Sequence, residues 1–124
     1  MSRRLLALAL IAVFAAVMVG GCSDTEEETI GYTIRDFYSA YNAEDWEACL
    51  GHVDDEYDAG AAIIELLKAS KAVLGEVTVN SIDKVTITGS TATADVTATF
   101  RGKTETIEHN LVKKDGSWRI SLGQ

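Results

Sequence analysis

Thr91-Ala92-Thr93-Ala94-Asp95-Val96-Thr97-Ala98-Thr99-Phe100 alternates between small or apolar residues and polar ones along its whole length. A period of two puts Ala92, Ala94, Val96, Ala98 and Phe100 on one face of a strand and Thr91, Thr93, Asp95, Thr97 and Thr99 on the other. That pattern belongs to a sheet buried on one side only. On its N-terminal side Gly89-Ser90 is a turn, preceded by Val77 and Val79 and then Val85 and Ile87 in similar alternation. Ile82 falls out of phase, which predicts a bend or bulge near Ser81 to Asp83. On its C-terminal side Arg101-Gly102-Lys103 turns into a strand in which Ile107, His109 and Leu111 share a face. Asp115-Gly116 then turns into a last strand over Ser117–Leu122, where the large residues alternate. Links this short join antiparallel neighbours, so the chain from Glu76 onward predicts a four-strand antiparallel meander.

Upstream of Glu76 the period changes. Ile30, Ile34, Phe37, Tyr38 and Tyr41 recur at helical spacing, with Arg35, Asp36 and Ser39 between them. Asn42-Ala43-Glu44-Asp45 interrupts this helix. Asp45 can cap a second, shorter one carrying Trp46, Cys49, Leu50 and Val53 on one side. After Asp54-Asp55-Glu56, Asp58 can cap a third helix whose stripe is Ile63, Ile64, Leu67 and Leu74, ended by Gly75. Three helices followed by a four-strand meander make an α+β plan, with the helices covering one face of a curved sheet.

The first 22 residues carry a different message. Arg3 and Arg4 precede an apolar run of 15 residues from Leu5 to Val19, and Gly20-Gly21-Cys22 follows. A spanning helix needs about 20 apolar residues, so this run fits the core of an export signal better than a membrane anchor. Val19-Gly20-Gly21-Cys22 resembles the lipobox of bacterial lipoproteins. The resemblance implies a signal peptide over 1–21, a diacylglyceryl group on Cys22, and a protein held by lipid on the extracytoplasmic face of the cell envelope. Two acyl chains suffice for stable anchoring where one does not.

Removal of residues 1–21 leaves 103 residues, the size of one domain, and nine basic residues against 19 acidic ones, a net charge of −10. Such a surface repels phosphates, which argues against a nucleic-acid partner and against a domain lying flat on anionic headgroups. Residues 22–29, with Asp24 and Glu26-Glu27-Glu28, read as an acidic tether, and 30–124 as the folded domain. With Cys22 committed to lipid, Cys49 is left single, and its helical spacing assigns it to the core.

Phe37-Tyr38-Ser39-Ala40-Tyr41-Asn42-Ala43-Glu44-Asp45-Trp46, the Leu50 to Tyr57 stretch and the closing Lys114-Asp115-Gly116-Ser117-Trp118-Arg119-Ile120 occur in an order that resembles the nuclear transport factor two-like superfamily. More narrowly they resemble small bacterial lipoproteins that carry this cystatin-like, cone-shaped domain behind a lipobox. The resemblance runs from Ile30 to Leu122 and implies an apolar pocket between the concave sheet and the helices. That superfamily holds isomerases, dehydratases and polyketide cyclases as well as members without catalysis. The chain is short for the superfamily, which implies a truncated pocket.

Candidate chemistry is sparse. His109 shares its strand face with Ile107 and Leu111, and an imidazole facing an apolar cavity can act as a base near neutral pH. Tyr38, Tyr41, Trp46, Phe100, Ile107 and Trp118 are the other pocket candidates. Asp54, Glu56, Asp58 and Glu65 match part of a calcium-loop spacing, but Ala59 stands where the turn needs glycine, so no metal site is assigned. His52 carries no assignment. No phosphate loop, serine elbow, paired-cysteine or His-Glu zinc motif occurs, and no cofactor is expected. The reading is a lipid-anchored domain binding an apolar small molecule or a protein without catalysis. Its alternatives are an isomerase- or dehydratase-like enzyme using His109, and a module that forms homodimers through the Thr93, Asp95, Thr97 and Thr99 face.

Overall fold

A computed structural model describes residues 25–54 and 59–122. Helix α1 spans Glu26–Asn42. Thr25 caps it through a reciprocal pair: Glu28 N–H donates to Thr25 Oγ1 (3.1 Å) and Thr25 N–H donates to Glu28 Oε1 (3.0 Å). Glu26, Glu27 and Glu28 therefore occupy the first turn, where carboxylates offset the helix dipole. The expected tether is corrected at its C-terminal end, because residues 26–29 belong to α1. The remainder of that segment, the Cys22 anchor and the signal peptide lie outside the described residues. Lys113 donates to Glu26 Oε2 at 2.6 Å, and this ammonium holds the Glu26 carboxyl below its usual range.

Ile30, Ile34, Phe37 and Tyr41 form the buried stripe of α1, the 3.6-residue period read from the sequence. Helix α2 is a single turn, Trp46–Leu50, capped by Asp45, whose Oδ1 accepts from Ala48 N–H (3.3 Å). Cys49 points from it into the core, its Sγ 3.8 Å from Phe37 O, and burial pushes its thiol pKa up. Val53, expected on that helix, instead makes a parallel bridge to Ile120, with Asp54 N–H donating to Ile120 O (2.8 Å). After Gly51 the bonds tighten to three-residue steps, His52 N–H to Cys49 O (3.0 Å) and Val53 N–H to Leu50 O (3.2 Å), and the chain leaves the helix for the bridge.

Helix α3 spans Gly60–Leu74. Its N-cap position is Ala59, with no side-chain cap bond, while the expected cap Asp58 lies outside the described residues. Leu67 is its one buried residue, and the rest of the predicted stripe, Ile63, Ile64 and Leu74, is only partly buried. The helix leans on α1 and α2 rather than lying flat on the sheet. Polar contacts hold its C-terminal half. Tyr41 Oη and Ser70 Oγ are 2.9 Å apart, Lys71 Nζ donates to Asn42 O (3.3 Å) and Glu44 Oε2 (3.2 Å), and the Arg101 guanidinium caps the terminal carbonyls of Ala72 and Val73.

The strands are β1 (Thr78–Thr88), β2 (Thr91–Phe100), β3 (Lys103–Lys114) and β4 (Ser117–Ser121), hydrogen-bonded in the order β1-β2-β3-β4. The meander is as predicted. In β1 the single irregularity expected near Ser81 to Asp83 becomes two, between Val79 and Ser81 and between Asp83 and Thr86, with Lys84 at φ 52°. Two shifts let Val79, Ile82 and Val85 all pack on the core despite their mixed phase. Ala92, Ala94, Val96 and Ala98 of β2 are buried as the alternation requires, and Leu111, Trp118 and Ile120 complete the sheet's inner face.

Two hairpins turn on paired positive φ values, Arg101-Gly102 (51° and 76°) and Asp115-Gly116 (52° and 81°), the handedness that suits strand twist. A Cβ on Gly116 would meet no atom within 4 Å, so the cost of substitution there is conformational. Gly116→Ala is expected to lower stability by about 1 kcal/mol, measured by thermal unfolding; an unchanged midpoint would show that the hairpin is not under this constraint.

Candidate functional site

An apolar cavity of about 300 Å³ opens between α1, α3 and the end of the sheet nearest the β2–β3 turn. Helix α1 contributes Phe37, Tyr38 and Tyr41, and α3 contributes Leu66, Leu67, Ser70 and Leu74. Val77 ahead of β1, Phe100 at the end of β2, Ile107 of β3 and Leu122 beyond β4 close it. Its origin is the placement of α3, which packs on α1 and α2 rather than on the sheet and leaves the space between unfilled. Leu66 (61 % exposed), Ile107 (41 %) and Leu122 (37 %) form an apolar mouth. No lining residue carries a charge at neutral pH.

The polar atoms of the lining side chains are three hydroxyls. Tyr41 and Ser70 bond each other across the α1–α3 seam. Tyr38 Oη lies 2.7 Å from His109 Nε2, and His109 Nδ1 lies 3.2 Å from Ile107 O. A carbonyl only accepts, so in this geometry Nδ1 carries the imidazole proton and Nε2 accepts from the Tyr38 hydroxyl. Burial lowers the His109 pKa, partly opposed by the bond to Ile107 O, which keeps the ring neutral at pH 7. Burial, reinforced by Tyr41, pushes the Tyr38 phenol up to about 12.

Of the sequence-derived candidates, Tyr38, Tyr41, Phe100 and Ile107 meet in this cavity. His109 is not among the lining residues; it stands behind Tyr38, with both ring nitrogens engaged and Nε2 on the Tyr38 hydroxyl. Trp46 packs edge-on against Tyr41 (centroids 6.1 Å apart, 87° between planes) and faces a separate shallow depression with Glu44 and Lys71. Trp118 is core, with Lys113 Nζ 5.9 Å from its ring centroid. Its Nε1 is buried without a hydrogen-bond partner among the described residues; the Glu26 carboxylate is near enough to be favoured by that N–H without closing a bond. Phe37, Leu67, Leu74, Val77 and Leu122 are expected from the sequence only as members of regular elements and not as pocket residues, and Leu66 and Ser70 are not singled out at all. An apolar residue outside the helix stripe, as Leu66 is, was the one available signal.

On the opposite face of the sheet, Thr97 and Thr106 hydroxyls pair at 2.9 Å, as do Thr99 and Thr104 at 2.8 Å. Asp83, Asp95 and Glu108 stand abreast on β1, β2 and β3. Asp54, from the partial calcium spacing, pairs with Lys114 at 2.7 Å. Among the described residues no group of three or more His, Cys, Asp or Glu side chains could hold a metal ion, and no helix is long and apolar enough to cross a membrane.

No protein-family model matches the chain, and no curated protein does. Solved structures do. A singly substituted form of Rv3472, a protein of unknown function from Mycobacterium tuberculosis, is similar over 77 % of this chain and 71 % of its own, with TM-score 0.58 and 21 % identity. An NTF-2-like protein of unknown function from Shewanella oneidensis MR-1 has TM-score 0.55 at 15 % identity, covering 77 % of this chain and 94 % of its own. An NTF2-like protein from Campylobacter jejuni has TM-score 0.54 at 18 % identity, covering 80 % and 99 %. Three helices packed on a four-strand antiparallel sheet, together with the likeness to these NTF2-like structures, make this an α+β domain of the nuclear transport factor two-like fold.

Proposed function

We propose that the protein is a lipid-anchored, extracytoplasmic binding domain whose ligand is a small, neutral, largely apolar molecule held in the cavity between α1 and α3. The observation that carries this reading is the cavity itself: about 300 Å³, open at an apolar mouth and free of charged lining. That volume is at the low end of small-molecule sites, which run from about 300 to 1,000 Å³. Non-catalytic binding is favoured over the isomerase-like alternative because Tyr38, with its pKa pushed up to about 12, is a poor proton acceptor or donor and covers His109. The homodimer alternative is disfavoured because a self-paired sheet would bring the Asp83, Asp95 and Glu108 row near its own copy.

With lipid on Cys22, the Thr25 cap of α1 lies within about 10 Å of the anchoring residue, the reach of three extended residues. Tyr38 lies twelve residues along α1 from Glu26, about 18 Å further on. Protein isolated from membranes of its own host is expected to show an intact mass starting at residue 22 with added lipid, and a co-purifying small molecule in native mass spectrometry. A full-length chain without lipid would overturn the anchoring, and a repeatedly empty domain would overturn the ligand.

A further inference from the structure

The three hydroxyls on the residues that line the cavity are not equivalent. Tyr41 and Ser70 bond each other, which uses one of their two protons and leaves one to donate. Tyr38 has a single proton, and it is committed. With the His109 Nδ1 proton on Ile107 O, Nε2 is an acceptor and takes the Tyr38 proton at 2.7 Å. What remains on Tyr38 Oη is lone-pair density alone.

We propose that His109 sets the hydrogen-bond polarity of the cavity, so that at neutral pH the site selects a small neutral ligand bearing a hydroxyl or N–H donor over its carbonyl counterpart. This rests on the reading that the cavity takes a ligand. His109 is then a positioning residue: it touches Tyr38, and Tyr38 touches the ligand. A donor on the ligand completes the chain ligand O–H to Tyr38 Oη, Tyr38 O–H to His109 Nε2, and His109 Nδ1–H to Ile107 O. A carbonyl at the same place would oppose lone pair to lone pair, and the one spare proton lies instead with the Tyr41–Ser70 pair, the Tyr41 ring being centred 6.0 Å from that of Tyr38.

Protonation of His109 reverses the relay. Nε2–H would then donate to Tyr38 Oη, and the Tyr38 proton would turn toward the ligand. The titratable groups facing the ring are Tyr38 and, behind it, Tyr41 of α1. The β2 residue opposite is Ala94, and α3 presents Leu66, Leu67, Ser70 and Leu74 to the cavity, none of which titrates in the accessible range. Burial and the Ile107 carbonyl, rather than a charged neighbour, shift the ring's titration.

The probes are 1-tetralol and 1-tetralone, which share a bicyclic body and differ in the oxygen's ability to donate. Calorimetric titration at pH 7.5 is expected to give about tenfold tighter binding of the alcohol, the scale set by leaving one buried acceptor unpaired. His109→Leu, which releases the Tyr38 proton, is expected to abolish or reverse that preference, as is Tyr38→Phe. In the wild type the preference should fall with the same midpoint as the ring titration followed by NMR. Ring nitrogen shifts of the unliganded protein test the relay without any ligand or variant, and the Nδ1–H tautomer is expected. An Nε2–H tautomer at pH 7.5, equal affinities, a ketone preference in the wild type, or a tenfold preference surviving in His109→Leu would each overturn the proposal while leaving the cavity as a ligand site. Binding of neither probe would overturn both.

Discussion

Ile34→Ala is expected to lower the unfolding free energy by about 2–5 kcal/mol, a large share of the roughly 5–15 kcal/mol available to a domain of this size. Ile34 is wholly buried in the middle of the α1 stripe, between Ile30 and Phe37, where the helix packs against β1 and β4 over the buried alanines of β2. Those alanines have no length with which to refill the space, so the deletion leaves a void as well as losing transfer energy. Urea unfolding followed by circular dichroism measures the effect. Leu66→Ala, at a residue 61 % exposed, is the internal comparison and should stay within about 0.5 kcal/mol. A loss below about 1 kcal/mol at Ile34 would mean that α1 is not the helix that closes the core.

Leu67→Trp is expected to abolish tetralol binding, weakening it by about a hundredfold or more, while leaving the melting temperature unchanged or raised. Leu67 is the buried residue of α3 and lies in the cavity wall. An indole at that position has unfilled space of about 300 Å³ to enter, so it displaces ligand rather than core. The two readouts must separate. Loss of binding together with loss of fold would indicate overpacking instead, and unchanged affinity would place the ligand elsewhere. The Leu67 and Ile34 variants thus probe the same apolar interior with opposite expectations. At Ile34 the packing is complete and a smaller side chain is costly; at Leu67 it is incomplete and a larger one is tolerated.

Part of the site is legible in the sequence, for an identifiable reason. Tyr38, Tyr41, Phe100 and Ile107 lie on regular faces whose period can be counted, and they do line the cavity. Trp46 and Trp118 obey the same periods yet pack elsewhere, because periodicity says that a side chain is covered and not what covers it. Ser70 lies off the apolar stripe and Leu122 falls just past β4, so each joins the wall through the placement of α3 or the path of the chain after β4. The acidic run after Cys22 reads as solvated spacer on composition, whereas a three-residue interval between Thr25 and Glu28 closes a capping box and makes residues 26–29 helix.

Local pattern alone determined the order of elements, the meander and the inner face of β2, since alternation and turn chemistry act between residues close in the chain. It also placed Cys49 in the core and His109 on the inner face of β3. Only the tertiary structure decided what those faces enclose. The angle at which α3 leans away from the sheet depends on contacts such as Arg101 with Ala72 and Val73, and Lys71 with Glu44, made between residues 27 to 29 positions apart. The partnership of Tyr38 with His109 spans 71 positions. Neither separation leaves a periodic trace, and it is that partnership which converts a buried histidine from a candidate base into the residue that orients a phenol.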